Sequence, residues 1–255
     1  MSWFESFEEL ERASRIQPQT EVAPGVVLVR RTFVFGALAA GSALLSACQN
    51  APKQLVELDN DERALEDFVH TLRPRARELV ASPAPDEERY LAHVGRSLTR
   101  LAPPKVGTVE LAAGNWDMTS RCRFPPIAVF EMRLAAGARL ELHDHRDYNG
   151  VLSCARGSVR CGNYDIVGDV AAARARAKDE PFEVHKLAEL TMRPGDVSTL
   201  SRSTRNLHEL EAGPDGAVLY DAFTYFDAKA RSYNVVLGPA VAGSAERFEA
   251  RWKRG

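Results

Sequence analysis

The spacing of apolar residues changes once along this chain, near residue 108. Upstream, Leu58, Leu65, Phe68, Val69 and Leu72 recur at helical spacing with charges between them, so residues 55–100 predict helix. Pro74 is expected to interrupt or end the first helical piece, because it lacks an N–H and crowds the preceding turn. "SPAPDEE", residues 82–88, reads as a turn and a second helix start, with Asp86 and Glu87 at the positive end of the dipole. Downstream, "IAVFEMRLAAG", "ARLELHDH", "GVLSCARGSVRCGNYDIV", "FEVHKLAELTMRPGDVSTLS", "NLHELEA" and "AVLYDAFTYF" are short, alternating and broken by glycine or Pro-Gly. Period-two runs with turn signals at that spacing predict an all-β sandwich or barrel. "RPGD", 193–196, is a turn between strands, and "SCARGSVRC" reads as two strands around an Arg156-Gly157 turn. "DVAAARARAKDEP", 169–181, reads as an insertion between strands, a solvated loop or short helix. "GSAERFEARWKRG" predicts a short closing helix that packs Phe248 and Trp252.

The expected organisation is a helical preface over 48–107, a β domain over 108–240 and a C-terminal helix or tail over 241–255. At 255 residues and 45% hydrophobic, the chain can bury one substantial core. Its net charge of −2, with both signs well mixed, gives no sign of a nucleic-acid partner held through phosphates, and none is expected. No internal repeat or heptad array is present.

Residues 1–47 have a different character. Arg30 and Arg31 precede about fifteen apolar or small residues, too few for a membrane-spanning helix of ~20. Arg30-Arg31-Thr32-Phe33 resembles the twin-arginine export motif, and Leu45-Ser46-Ala47-Cys48 resembles the lipobox of bacterial lipoproteins. The resemblance implies export through the twin-arginine route and a lipid anchor on Cys48 at the bacterial cell envelope. The slightly acidic stretch before Arg30 departs from that pattern. Of the other cysteines, Cys154 and Cys161 are close enough in sequence to bridge, but the Arg156-Gly157 turn sets Cys154 opposite Val159, which does not favour a disulfide.

The candidate chemistry lies in "ELHDHRDYNG", residues 141–150. On a strand, side chains two residues apart point the same way, about 7 Å apart at Cα, so His143 and His145 project together and Asp144 faces away. Two imidazoles so placed can converge on one ion at ~2.1 Å. His208 follows His145 by 63 residues, enough to sit on another strand, and the alternation of "NLHEL" turns Leu207 and Glu209 away from it. His185 competes for the third position but lacks a glycine frame, which leaves it to the outer face or the surroundings of the site. His70 and His93 stand alone among charged helical neighbours, as surface or packing residues. Tyr148 reads as a core tyrosine near the site, and Asp144 as a local cap or ion-pair partner.

The frame Gly137, "ARLEL", His143, Asp144, His145, "RDYN", Gly150, "VLSCAR", Gly157 resembles the first motif of the cupin superfamily, G-x5-H-x-H-x3/4-E-x6-G. The implied fold is a double-stranded β-helix, a jelly-roll barrel. Gly150 fills the glutamate position, as in the branch of thiol dioxygenases related to cysteamine dioxygenase and the plant cysteine oxidases. "RNLHELEAGPDGAVLYDAFTYFD" is similar to that branch's later segment, which makes His208 the third ligand and Asp221 the active-site aspartate. The resemblance spans about residues 55–240, but "AFTYFDAKARSYN" lacks the family's paired prolines and leaves Tyr225 and Phe226 as candidates for its aromatic.

What the resemblance implies is Fe(II) held by His143, His145 and His208, with Asp221 orienting a substrate amine or a neighbouring group. A site without carboxylate leaves the ion its full charge and an open face for a small thiol and O2, and the product is a sulfinate. The expected partners are that substrate and the membrane, with the chain itself a monomer. Three-imidazole sites also take Zn, Cu or Ni, so a different cupin enzyme acting on carbon, or a metal-binding lipoprotein without turnover, remain the alternatives.

Overall fold

The protein is described by a computed structural model over residues 60–104, 111–177 and 180–253. Residues 1–47, expected to form an export segment, Cys48, expected to carry lipid, and Leu58 lie outside the described residues. Helices α1 (Asn60–Ala81) and α2 (Glu87–Leu98) precede the strands. Then follow β1 (Trp116–Phe124), β2 (Ile127–Leu134), β3 (Arg139–Asp144) and β4 (Tyr148–Ile166). After a short helix α3 (Val170–Ala175) come β5 (Phe182–Met192), β6 (Val197–Leu200), β7 (Leu207–Tyr225), β8 (Val235–Ala240) and β9 (Arg247–Trp252). Among the described residues no helix is long and apolar enough to cross a membrane.

Two 19-residue strands, β4 and β7, organise the barrel. They run antiparallel from Tyr148↔Tyr225 to Tyr164↔Leu207, and each serves two sheets in turn. The first half of β4 pairs β6, while the second half of β7 pairs β2, which pairs β1. Beyond the midpoint β4 pairs β5 and β7 pairs β3. The two sheets fold over one another into a jelly-roll β-barrel of the cupin type, as the glycine frame implies.

The midpoint corrects one expectation. Arg156-Gly157 is not a hairpin turn, because β4 continues through it with register shifts at Cys154/Arg156 and Gly157/Val159. Gly157 adopts φ +70, and a Cβ there would overlap the carbonyl oxygen of Gly216 on β7. Glycine here makes a bulge that bends the strand around the barrel corner, rather than a reversal. "RPGD" does turn the chain, with Asp196 N–H donating to Arg193 O at 2.9 Å.

The helical preface covers the outer face of the β1–β2–β7–β4–β6 sheet. Leu65, Val69, Leu72, Leu91, Val94 and Leu98 pack there against Val129, Val151 and Ala222. Asp86 caps α2 by accepting the Arg89 N–H at 3.1 Å, with Glu87 and Glu88 in its first turn. Pro74 does not end α1, which continues seven residues beyond it to Ala81. Leu72, Ala76 and Leu79 are all buried around the proline. A buried leucine contributes about 1.5–3 kcal/mol, so two offset a helix-interior proline costing ~3 kcal/mol.

The C-terminal segment is the second correction: 247–252 is a strand, not a helix. Its charges suggest a helix, but Phe248, Ala250 and Trp252 alternate, and β5 offers an edge that pairs Phe182↔Ala250. Strands β9 and β8 extend the second sheet, and an isolated bridge, His143↔Asn234, brings the chain back against β3. Leu142, Tyr164, Leu207, Val184 and Trp252 fill the space enclosed.

Replacing Gly157 by alanine is expected to cost more than about 2 kcal/mol in denaturant unfolding, since both its backbone conformation and its closeness to β7 forbid a side chain. Gly195→Ala, at φ +95 with open space around it, is the control and is expected to cost about 1 kcal/mol.

Candidate metal centre

Regular alternation along β3 would place Arg139, Glu141 and His143 on one face. The pairing departs from it. Leu140 faces Leu210 and His143 faces His208, so three residues of β3 span two of β7. This bulge turns His143 into the barrel beside His208, while Arg139 and Glu141 stay exposed. His145 lies just past the end of β3, where its N–H donates to Asn206 O at 3.2 Å.

The three rings converge. His143 and His208 have centroids 4.4 Å apart, His145 and His208 4.9 Å, and His143 and His145 5.5 Å. One ligand nitrogen from each lies within 4.8 Å of the others. His143 Nδ1 is 2.8 Å from Glu141 O and donates to it, which leaves the Nε2 lone pair free. That Nε2 stands 2.9 Å from His208 Nε2. Two nitrogens each ~2.1 Å from one ion and at about 90° stand ~3.0 Å apart, so a shared ion accounts for the approach. His145 Nδ1 and His208 Nδ1 are buried without a hydrogen-bond partner.

Burial lowers the pKa of all three histidines, most for His145 and His208, where neighbouring imidazoles add to the effect. The rings are neutral at neutral pH and offer lone pairs. Three neutral imidazoles fit a divalent transition ion, and the donor set alone does not choose among Fe, Zn, Cu and Ni.

Gly150 is where a carboxylate would reach the site in the cupin motif. A Cβ there would lie 3.0 Å from His145 Cε1, 3.1 Å from His145 Nδ1 and 3.3 Å from Phe223 Cδ1. The ring of His145 occupies that space, stacked on Tyr148 at 4.4 Å and edge-on to Phe223 at 5.5 Å. Tyr148 is thus a core tyrosine whose ring supports a ligand. His145 and His208 are 1% exposed, so the triad is closed off from bulk solvent.

Asp144 points away from the triad, as expected, and is fully buried. It accepts the Tyr233 N–H at 2.7 Å and lies 3.4 Å from both Arg146 Nε and Arg174 Nε. Burial pushes its carboxyl up to about 6, against the pull of the two guanidinium groups. Asp221 lies on β7 two residues before Phe223, opposite Phe130 and Leu152, on the inner face. Its Oδ1 has no hydrogen-bond partner, and burial raises the pKa of its carboxyl well above the usual range. Tyr225 faces inward against Tyr148, whereas Phe226 packs outside under Arg202, 3.5 Å from its ring. His185 is on the outer surface, 3.4 Å from Glu246, and His70 packs against Phe124 at 4.6 Å. Cys154 and Cys161 are buried free thiols, not a disulfide.

Two participants escaped the sequence reading. Asn206 and Arg174 both hold the backbone of His145, Arg174 by donating to its carbonyl at 3.2 Å. The only signal for Arg174 was the arginine content of an insertion read as filler.

No protein-family model matches the chain, and no curated protein matches it by sequence. Among solved structures it is similar to the cupin domain of Schizosaccharomyces pombe Cnp3, at 13% identity and TM-score 0.33, over 46% of this chain and 69% of that one. It is similar also to KdgF from Halomonas sp., at 13% identity and TM-score 0.30, over 43% and 78%. An oxalate oxidase in complex with glycolate aligns at 14% identity and TM-score 0.34, over 49% of this chain and 57% of its own. Likenesses this distant decide nothing about chemistry, and the description of the site rests on the strand pairing and the triad. They define a cupin-type β-barrel with a helical N-terminal part. Inside it lies a three-histidine centre able to hold a metal.

Gly150→Ala is expected to displace the His145 ring and weaken Co(II) binding at least tenfold, read by titration of the visible spectrum. Because the histidine pKa values lie below the ordinary 6.5, protons compete for the rings only under that pH. The wild-type cobalt complex is therefore expected to survive at pH 6.5 and to dissociate on further acidification.

Proposed function

We propose that this chain is an iron-dependent thiol dioxygenase acting on a small aminothiol or an N-terminal cysteine. The reaction is RSH + O2 → RSO2H: two S–O bonds form, the O–O bond breaks, and sulfur loses the four electrons that O2 gains. The observation that carries the reading is the donor set, three neutral imidazoles with the fourth protein position denied by Gly150 and the His145 ring. A ferrous ion, when bound, supplies ionisation of the thiol and activation of O2.

The chain's own residues supply the rest. His143, His145 and His208 hold the ion. Tyr148, Phe223 and Tyr225 wall the interior with aromatic surface and keep water out. Asp221, buried in that interior with its Oδ1 lacking a hydrogen-bond partner, orients the substrate amine or a group beside it. The twin-arginine-like motif at Arg30-Arg31 and the lipobox-like segment ending at Cys48 support a further part of the reading, that the enzyme is exported and lipid-anchored at the bacterial cell envelope. One observation favours a second reading, a metal-binding protein without turnover: the triad is almost wholly covered.

Protein loaded with iron under anaerobic conditions is expected to consume O2 when a thiol from a panel of aminothiols and cysteinyl peptides is added. His208→Ala is expected to lose both iron and uptake. Uptake that no thiol stimulates, from protein that retains its iron, would favour the second reading. Cys48→Ala is expected to move the protein from the membrane to the soluble fraction.

A further inference from the structure

We infer that Arg174, on the inserted helix α3, is a positioning residue for the metal centre. The proposal rests on the triad being a metal site but not on the thiol as substrate. Arg174 comes from the segment between β4 and β5, 29 residues along the chain from His145. Its Nη2 donates to the His145 carbonyl at 3.2 Å, and its Nε stands at ion-pair distance from Asp144 Oδ2, 3.4 Å, without a hydrogen bond. One guanidinium thus hydrogen-bonds the backbone of one ligand and neutralises the carboxylate between two ligands. A planar fork with several donors can do this, and a lysine ammonium cannot reach both in the same geometry.

The grip is built from both sides. Asp144 also accepts the Tyr233 N–H at 2.7 Å, and its own N–H donates to Tyr233 O at 3.0 Å. Arg146 lies 3.4 Å from the same carboxylate and covers the rings of Tyr233 and Trp252 at 4.3 and 5.1 Å. Helix α3 is itself held, since Asp169 caps it through the Ala171 and Ala172 N–H groups and Trp252 Nε1 donates to Ala173 O at 3.0 Å. The inserted helix and the C-terminal strand are therefore joined to each other and to the ligand loop. Among the described residues, the backbone hydrogen bond to Asn206 and the packing of Tyr148, Phe223 and the other two imidazoles also hold His145. Without Arg174, Asp144 loses a cation, the His145 carbonyl loses its donor, and the ring is free to swing from the geometry the ion needs.

The test is Co(II) binding by full-length Arg174→Met and Arg174→Lys proteins. Thermal unfolding of the metal-free forms is measured alongside, with Arg121→Met as a remote control that removes a partner of buried Glu131. Arg174→Met is expected to bind cobalt ~10–100-fold more weakly and with an altered visible spectrum, and Arg174→Lys to fall between it and the wild type. Arg121→Met is expected to lower the unfolding temperature and leave cobalt affinity unchanged. A folded Arg174→Met with wild-type affinity and spectrum would overturn the proposal. If Arg174→Met does not fold, Arg174→Lys decides: weaker binding supports the role, and wild-type binding overturns it. Failure of the wild type to bind cobalt would instead sink the metal reading beneath it.

Discussion

Between Leu140 and His143, strand β3 carries one residue more than β7 opposite it, and its side-chain alternation reverses there. Regular pairing would have sent His143 outward with Glu141, whose carboxylate meets Lys253 at the surface. The reversal instead brings two histidines from separate strands together inside the barrel, Nε2 toward Nε2. It also sends Leu142 to the opposite side, into the cluster that β8 and β9 cover. The C-terminal strands are thus a consequence of the same bulge: they bury the apolar side chain that the inward turn of His143 displaces.

Volume then determines which ligands are possible. The His145 ring, between Tyr148 and Phe223, lies so close to Gly150 that a side chain there would press on it. Burial strips the three rings of protons, and burial equally raises the pKa of the Asp221 carboxyl, two residues from Phe223. The three ligands therefore contribute no negative charge to a bound divalent ion. A resident carboxylate would have reduced that charge and taken a position; its absence suits a substrate that arrives as an anion of sulfur. The proposed activity follows from this electrostatic state more than from the barrel, which unrelated chemistries share.

Much of this was legible in the sequence. The change from helical to alternating spacing separates the preface from the barrel, and the glycine frame with His143, His145 and His208 locates the centre. The places where reading failed share a cause: local signals with two structural meanings. A glycine at positive φ serves a bulge as well as a turn, and only Gly216 across the sheet tells which Gly157 makes. The charged run around Phe248 and Trp252 suits a helix until the free edge of β5 is known. Pro74 marks a helix end unless apolar residues on both sides are buried together, as Leu72 and Leu79 are. Arg174 was invisible for a different reason: its partners lie about 29 residues away in sequence, and nothing near it in the chain announces them.

The central claim, that three imidazoles and no protein carboxylate hold an iron able to take sulfur, is tested most directly by X-ray absorption at the iron edge. The measurement is made on anaerobically loaded protein before and after a thiol is added. The account predicts three imidazole nitrogens at ~2.1 Å in both states and a new sulfur neighbour at ~2.3 Å once the thiol is present. Iron with fewer than three imidazoles, or a first shell that no thiol changes, would contradict it.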